Sequence, residues 1–263
     1  MTVGAQPAYA VSQFRDPAAE MVRLAQQATI LAAAEEEALR GLGLPESGSV
    51  LDIGCGPGAV AARLVRARPG LTVVGLDRDL TMLEKARTVM PIVGGMAERL
   101  PFPSNSFDAV FVRLVVRHVA QPEEAFAEMH RVLRPDGRAI VIDSDDGALV
   151  LHPRPDAFLR ALVARETTFQ RRGADPFIGR RLRSLFVAAG FVDLALRTLV
   201  VDSVTVGRRP FARIVLSPVV DGVDRDLLDP EAVAAADAAI QGWAEDSAAF
   251  GMTTVVALGG SKR

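Results

Sequence analysis

The chain predicts an α/β fold built on a parallel sheet covered by helices on both faces, and three observations carry that reading. Short apolar runs recur at 50–53, 72–76, 92–93, 109–112 and 139–142. Amphipathic helical patterns fill the gaps at 59–67, 80–89 and 122–133. Turn residues such as Arg68-Pro69-Gly70 and Arg134-Pro135-Asp136-Gly137 mark the boundaries. Strands alternating with helices at this spacing need crossover connections, which bury a parallel sheet from both sides. Ahead of the first strand, Asp16-Pro17 reads as N-cap and first helical residue. Met21, Leu24, Ala28 and Leu31 follow at helical spacing toward an end near Gly41 and Gly43. After Asp143 the pattern changes to a helix-rich stretch at 155–189, a strand at 192–206, further helix to about 249 and a last strand at 253–258.

At 263 residues, 49% hydrophobic and 24% charged, the chain has the makeup of one large globular domain. Apolar runs stop well short of membrane-spanning length, and the opening MTVGAQPAYAVSQFRD lacks the charged start and apolar block of a secretory leader. The expectation is a soluble, cytoplasmic protein. A formal charge of −2, with basic residues spread along the whole chain, argues against nucleic acid or an acidic membrane as partner and for a small molecule. Cys55 is the single cysteine, which excludes an intramolecular disulfide and a multi-cysteine metal site. Nothing in the sequence fixes an oligomeric state.

The segment Val50-Leu51-Asp52-Ile53-Gly54-Cys55-Gly56-Pro57-Gly58 is a buried strand running into a glycine turn that opens a helix. Backbone without side chains lets a ligand approach closely, so a nucleoside cofactor is expected there. Asp77 ends the next strand, 19 residues after Gly58, where a carboxylate accepts ribose hydroxyls. Gly54-x-Gly56-x-x-Ala59 also satisfies the dinucleotide fingerprint, so a nicotinamide or flavin oxidoreductase is a rival reading. Charge separates the two. Asp52 sits beside the turn and no Lys or Arg lies between Asp52 and Ala62, whereas a dinucleotide brings a pyrophosphate to that helix start. One like-charge contact at about 4 Å costs on the order of 4 kcal/mol at an effective dielectric near 20. A phosphate-free cation suits the same acidic rim.

At these residues the chain resembles the class I S-adenosylmethionine-dependent methyltransferases, in the small-molecule branch that includes the ubiquinone and menaquinone biosynthesis enzymes. The resemblance covers about 50–143 and rests on LDIGCGPG at 51–58, GLDRD at 75–79, AERLPF at 97–102 followed by Ser106-Phe107-Asp108, and HRVLRPDG at 130–137. It implies a Rossmann-like seven-stranded mixed sheet, six strands parallel and one antiparallel, with S-adenosylmethionine as cofactor. It further implies that Gly54, Gly56 and Gly58 border the methionine part; Asp52, beside the turn, and Cys55, a small residue fitting it, are counted with them as cofactor-binding residues. Asp77 would hold the ribose, Arg78 and Met82 would lie near the adenine, and Ala97 would sit by the base edge. Members of this family commonly carry Asp before that alanine; here Met96 stands there, which leaves Glu98 to take the contact. Asp136 replaces a more usual glycine in the turn before the fifth strand, and Asp tolerates left-handed geometry. Gln27, in Arg23-Leu24-Ala25-Gln26-Gln27-Ala28, resembles a lid residue that reaches the cofactor's carboxylate, against the plain reading of a helix-surface glutamine.

His118 follows the fourth strand and has the basicity to accept an acceptor's proton, although a ring that ties the loop together is the plainer role. Arg113, at the end of that strand, is read as a cofactor contact through its backbone. Asp143 and Asp145 are candidate acceptor contacts, with Tyr9. Together with Asp146 they suggest a magnesium site, but consecutive loop acids are read as solvated turn residues and no metal is expected. The arginines at 171–183 read as the charged face of a helix. The whole chain is therefore expected to form a single methyltransferase domain. It would have an amino-terminal lid helix at 1–45, a cofactor-binding core at 46–145 and cap insertions at 146–189 and 207–250. The expected reaction is methyl transfer by direct displacement to a small-molecule acceptor, with a secondary metabolite suggested by the long insertions. Rivals are a methyltransferase-like fold that keeps the cofactor structurally for a cyclisation, and a non-catalytic binding protein.

Overall fold

Backbone pairing follows the apolar runs. The computed structural model describes Tyr9, Ala10, Phe14 and residues 16–263. Most of the amino-terminal stretch read for a leader lies outside the described residues. Chain contacts divide the molecule into two units, one of residues 32–144, 177–199 and 255–263, the other of the described residues up to Leu31 with 145–176 and 200–254.

The first unit carries β1 (Ser47–Ile53), β2 (Gly70–Asp77), β3 (Ile92–Gly94), β4 (Phe107–Arg113) and β5 (Leu133–Ser144) in the spatial order β3-β2-β1-β4-β5. All four adjacent pairs are parallel. In chain order the first helices are α1 (Pro17–Ile30), α2 (Ala32–Gly41), α3 (Ala59–Ala67), α4 (Leu80–Ala86) and α5 (Pro122–Val132). From α3 to α5 they are the crossovers between parallel strands. The core strands are continuous apolar runs because both faces are covered: Leu51, Val110, Val112, Ala139 and Val141 are at most 0% exposed. On one face α5 and α7 (Leu182–Ala188) pack through Phe126 and Phe186, whose rings meet edge to face at 5.1 Å. The sheet closes with β8 (Phe250–Ser261), antiparallel to β5 from Arg138↔Ser261 to Ser144↔Val255.

The other unit is mostly helical: α1, α6 (Asp156–Arg171), α8 (Arg208–Phe211), α9 (Ser217–Asp221) and α10 (Pro230–Glu245), with a π-turn at Ala212–Leu216 between α8 and α9. Asp16 caps α1 as expected, its carboxylate accepting from the amides of Ala18 and Ala19. Arg171 and Arg172 reach Asp226 and Asp224, so part of the arginine-rich segment is neutralised by ion pairs rather than solvated as a bare face.

Two elements differ from the sequence expectation. The sheet has eight strands rather than seven, because β6 (Val150–His152) pairs antiparallel with the first residues of β8, and β7 (Val192–Asp202) also pairs with β8. The strand β6 has only three residues, none of them buried, so it shows no alternation to read. The amino-terminal helix also breaks at Leu31, where α1 ends and α2 begins, although no Gly or Pro marks the break.

Phe126 is 0% exposed, and replacing it leaves a cavity against Phe186. Phe126→Ala is expected to lower stability by about 3–5 kcal/mol, read from the midpoint of denaturant unfolding at unchanged slope.

Candidate functional site

The turn after β1 is built from three backbone conformations that side chains resist. Gly54, Gly56 and Gly58 have φ of 68°, 54° and 84°, all in the left-handed region. A Cβ on Gly54 would collide with the Val115 side chain, whereas one on Gly56 would meet no heavy atom within 4 Å. The turn therefore has one closed wall and one open one. Its amides are held from β2: Gly54 and Cys55 donate to the Leu76 carbonyl at 2.7 and 3.1 Å, and Gly56 donates to Asp77 Oδ2 at 2.9 Å. The other Asp77 oxygen accepts from the Asp79 amide at 2.9 Å. Asp77 thus closes the turn, with lone pairs left on a half-buried carboxylate.

Asp52, two residues before Gly54, is 3% exposed, and its Oδ2 has no hydrogen-bond partner among the described residues. Burial, reinforced by the neighbouring Asp77 charge and opposed by Arg113, pushes its carboxyl up to about 7. Burial likewise raises Asp77 against the hydrogen bonds that it accepts. Two carboxylates held in this way favour a cation beside them, since either a proton or a positive ligand relieves the same penalty. Cys55 lies in the floor of the turn with its thiol pushed up by burial and by both acids, which leaves it a neutral packing group.

Along the sheet edge, Arg78 is exposed after β2 and Met82 is buried in α4 at 2% exposure. Past β3, Met96 is 51% exposed, Ala97 is buried and Glu98 half-buried, and the Arg99 amide closes a small turn on the Met96 carbonyl at 3.2 Å. At the end of β4, Arg113 donates from Nε to Glu35 Oε1 at 2.6 Å. His118 ends a short 3-10 turn at Val116–His118, where its amide donates to the Val115 carbonyl at 2.8 Å. Asp143 is not a solvated loop acid: it is 0% exposed within β5, accepts from the Arg117 amide at 3.2 Å, and is raised by burial to about 6. The Arg117 guanidinium reaches Ser144 Oγ next to it.

Three candidates belong to the helical unit. Tyr9 donates its hydroxyl to Glu20 at 2.6 Å, and Arg23 grips the same carboxylate through Nε and Nη2, both at 2.6 Å. Gln27 is half-buried on α1, beside Gln26, whose Oε1 is buried without a partner among the described residues. Asp145 is also buried rather than solvated, at 5% exposure, and accepts from the Gly147 amide at 2.9 Å, while Asp146 pairs with Arg165 at 2.9 Å. Among the described residues no cluster of His, Cys, Asp and Glu is suited to hold a metal, and no helix is long and apolar enough to cross a membrane.

Sequence reading missed Glu35, Arg63 and Arg117. Glu35 stands in a run of three glutamates, so nothing local distinguishes the one that points inward. Arg117 was passed over beside the more suggestive His118.

The orphaned Asp52 oxygen, the open space at Gly56 and the acid at the end of β2 fit a nucleoside that carries positive charge and no phosphate. Comparison with known proteins agrees. The model of the methyltransferase domain family matches residues 51–141. A demethylmenaquinone methyltransferase from Thermus thermophilus is 33% identical over 181 residues, 61% of this chain and 82% of that protein. An uncharacterized 37.1 kDa protein in transposon TN4556 of Streptomyces fradiae is 36% identical over 152 residues, 54% of this chain; the match spans only 43% of that protein. Among solved structures, the YcgJ protein from Bacillus subtilis superposes with a TM-score of 0.55 over 87% of this chain and 97% of that one, and at 20% identity it shows the shared fold. Identity maintained across most of the Thermus protein goes beyond a shared fold, and on it the chain belongs to the class I S-adenosylmethionine-dependent methyltransferases.

Proposed function

We propose that the chain transfers a methyl group from S-adenosylmethionine to a small-molecule acceptor by direct displacement. One observation carries the reading: a buried carboxylate oxygen of Asp52, without a hydrogen-bond partner among the described residues, lies beside a glycine turn that is open on one side. When bound, the cofactor supplies an electrophilic methyl on a positively charged sulfur.

The chain's own residues bind and orient. Asp52 meets positive charge at the turn, and Gly54, Cys55, Gly56 and Gly58 let the backbone come close to the methionine part. Asp77 offers its remaining lone pairs to the ribose hydroxyls. Arg78, Met82, Met96, Ala97, Glu98 and the Arg113 backbone are assigned to the adenosine and methionine ends. Asp143 is assigned to the acceptor. Aligning two reactants in this way is worth up to about 7–11 kcal/mol of the barrier, so an acceptor that is already nucleophilic needs no strong base.

For the acceptor we propose a quinone-type ring, on the name of the Thermus relative. The alternative of a secondary metabolite rests on the length of the helical segments alone. Methyl transfer to demethylated naphthoquinols, compared with a panel of phenols and amines, separates the two.

Asp77→Ala is expected to weaken S-adenosylmethionine about tenfold or more by calorimetry. Because Asp77 also closes the turn, a parallel melting curve must show the fold retained, and unchanged affinity in a folded variant would remove the ribose assignment. Affinity is expected to rise between about pH 6 and about pH 8, as a cation favours ionised Asp52, and Asp52→Asn is expected to flatten that rise. Without ligand the sign reverses. A carboxyl raised above its unfolded value of about 3.9 holds its proton better when folded, so stability is expected to fall as pH climbs from about 4 to about 7. For His118→Ala a loss in kcat of less than about a hundredfold is expected from a loop-tying role; a larger drop with the fold intact assigns it the proton.

A further inference from the structure

Behind the turn lies a buried ion triad whose side chains the assignments above do not use. Glu35, Glu36 and Glu37 are consecutive in α2, yet they meet three fates: Glu37 is exposed, Glu36 is half-buried on Arg68, and Glu35 is 1% exposed. Helical spacing puts Glu35 on the face of Ala38 and Leu39, which is buried. There its Oε1 accepts from Arg113 Nε at 2.6 Å and its Oε2 from Arg63 Nη2 at 2.5 Å. Arg63 donates its Nη1 to the Ala32 carbonyl at 2.7 Å.

The two arginines come from the two walls of the cofactor turn. Arg63 lies in α3, the helix that the turn opens, four residues after its first residue Ala59. Arg113 is the last residue of β4, and β4 pairs with β1 up to Val112↔Ile53, which sets Arg113 alongside Gly54. Guanidinium groups do not lose their protons in proteins, so this end of the site has two fixed positive charges where a cationic ligand is to bind. Glu35 brings one buried negative charge to them, and with its two oxygens it fixes both.

We infer that Glu35 is a positioning residue for the cofactor turn: it holds Arg63 and Arg113 in place and cancels one of their charges, so that Asp52 governs how the turn meets a positively charged sulfur. The inference rests on the reading that S-adenosylmethionine binds at the turn. The charge state of the ligand separates this role from a merely structural clamp, because S-adenosylmethionine carries a sulfonium and S-adenosylhomocysteine a neutral thioether. A clamp affects both equally, whereas a charge balance affects the sulfonium selectively.

The test is calorimetry of the full chain with each ligand, with melting curves alongside. Wild-type binding of S-adenosylmethionine checks the underlying reading first: its absence removes that reading, and the inference with it. Given binding, Glu35→Gln is expected to weaken S-adenosylmethionine about tenfold and S-adenosylhomocysteine less than about threefold. Adding Arg63→Gln to that variant returns the triad to a single positive charge and is expected to restore most of the lost affinity. An equal loss for both ligands, or no loss for either, overturns the inference. Should Glu35→Gln fail to fold, Arg63→Gln alone decides, since it keeps the Glu35–Arg113 pair while removing one positive charge. Affinity for S-adenosylmethionine is then expected to rise about threefold with S-adenosylhomocysteine unchanged, and an unchanged or lower ratio overturns the inference.

Discussion

The Gly56 amide, donating to Asp77, is the interaction on which the site depends. Three left-handed glycines at alternate positions do not make a fixed shape by themselves, because glycine loses more conformational freedom on ordering than any other residue. The end of β2 supplies the order: the Leu76 carbonyl takes two amides of the turn and the Asp77 carboxylate takes a third. The same carboxylate is the one proposed for the ribose, so on that proposal the group that shapes the turn would also read the ligand, and removing it would alter both at once.

Around this turn the electrostatics are those of a site prepared for positive charge. Asp52 and Asp77 are both raised mainly by burial, which means that the protein has stripped water from acids without giving Asp52 Oδ2 a hydrogen-bond donor among the described residues. Residues in such strained protonation states gather at functional sites because a ligand supplies what the fold withholds. A pyrophosphate would add negative charge to this edge, which is the physical reason that the dinucleotide reading of the same glycine pattern loses.

Much of this was legible in the sequence because the cofactor core is written in contiguous stretches. The strand-turn-helix at 50–59 and the acid at 77 carry their meaning in local spacing, and even the substituted Asp136 adopts the left-handed φ of 62° that its chemistry allows. What was not legible depends on contacts between distant segments. Glu35 lies 78 residues from Arg113, and within its run of glutamates only the packing of α2 decides which one turns inward. The burial of Asp143 follows from the strands on either side of β5, so a reading of consecutive acids as a wet loop had no means of seeing it. The strand β6 exists because β8 offers it an edge, and three residues without alternation announce nothing by themselves.

The position of Cys55 has one more consequence. The only sulfhydryl of the chain is enclosed beneath the turn, where a Cβ added to Gly75 would stand 2.8 Å from its sulfur and 2.5 Å from Met90 Cε. Thiol reagents act on the thiolate, which is scarce here, and they need access that this packing denies. The rate at which an alkylating agent modifies the chain therefore clocks the opening of the floor of the turn, with no second cysteine to confuse the count.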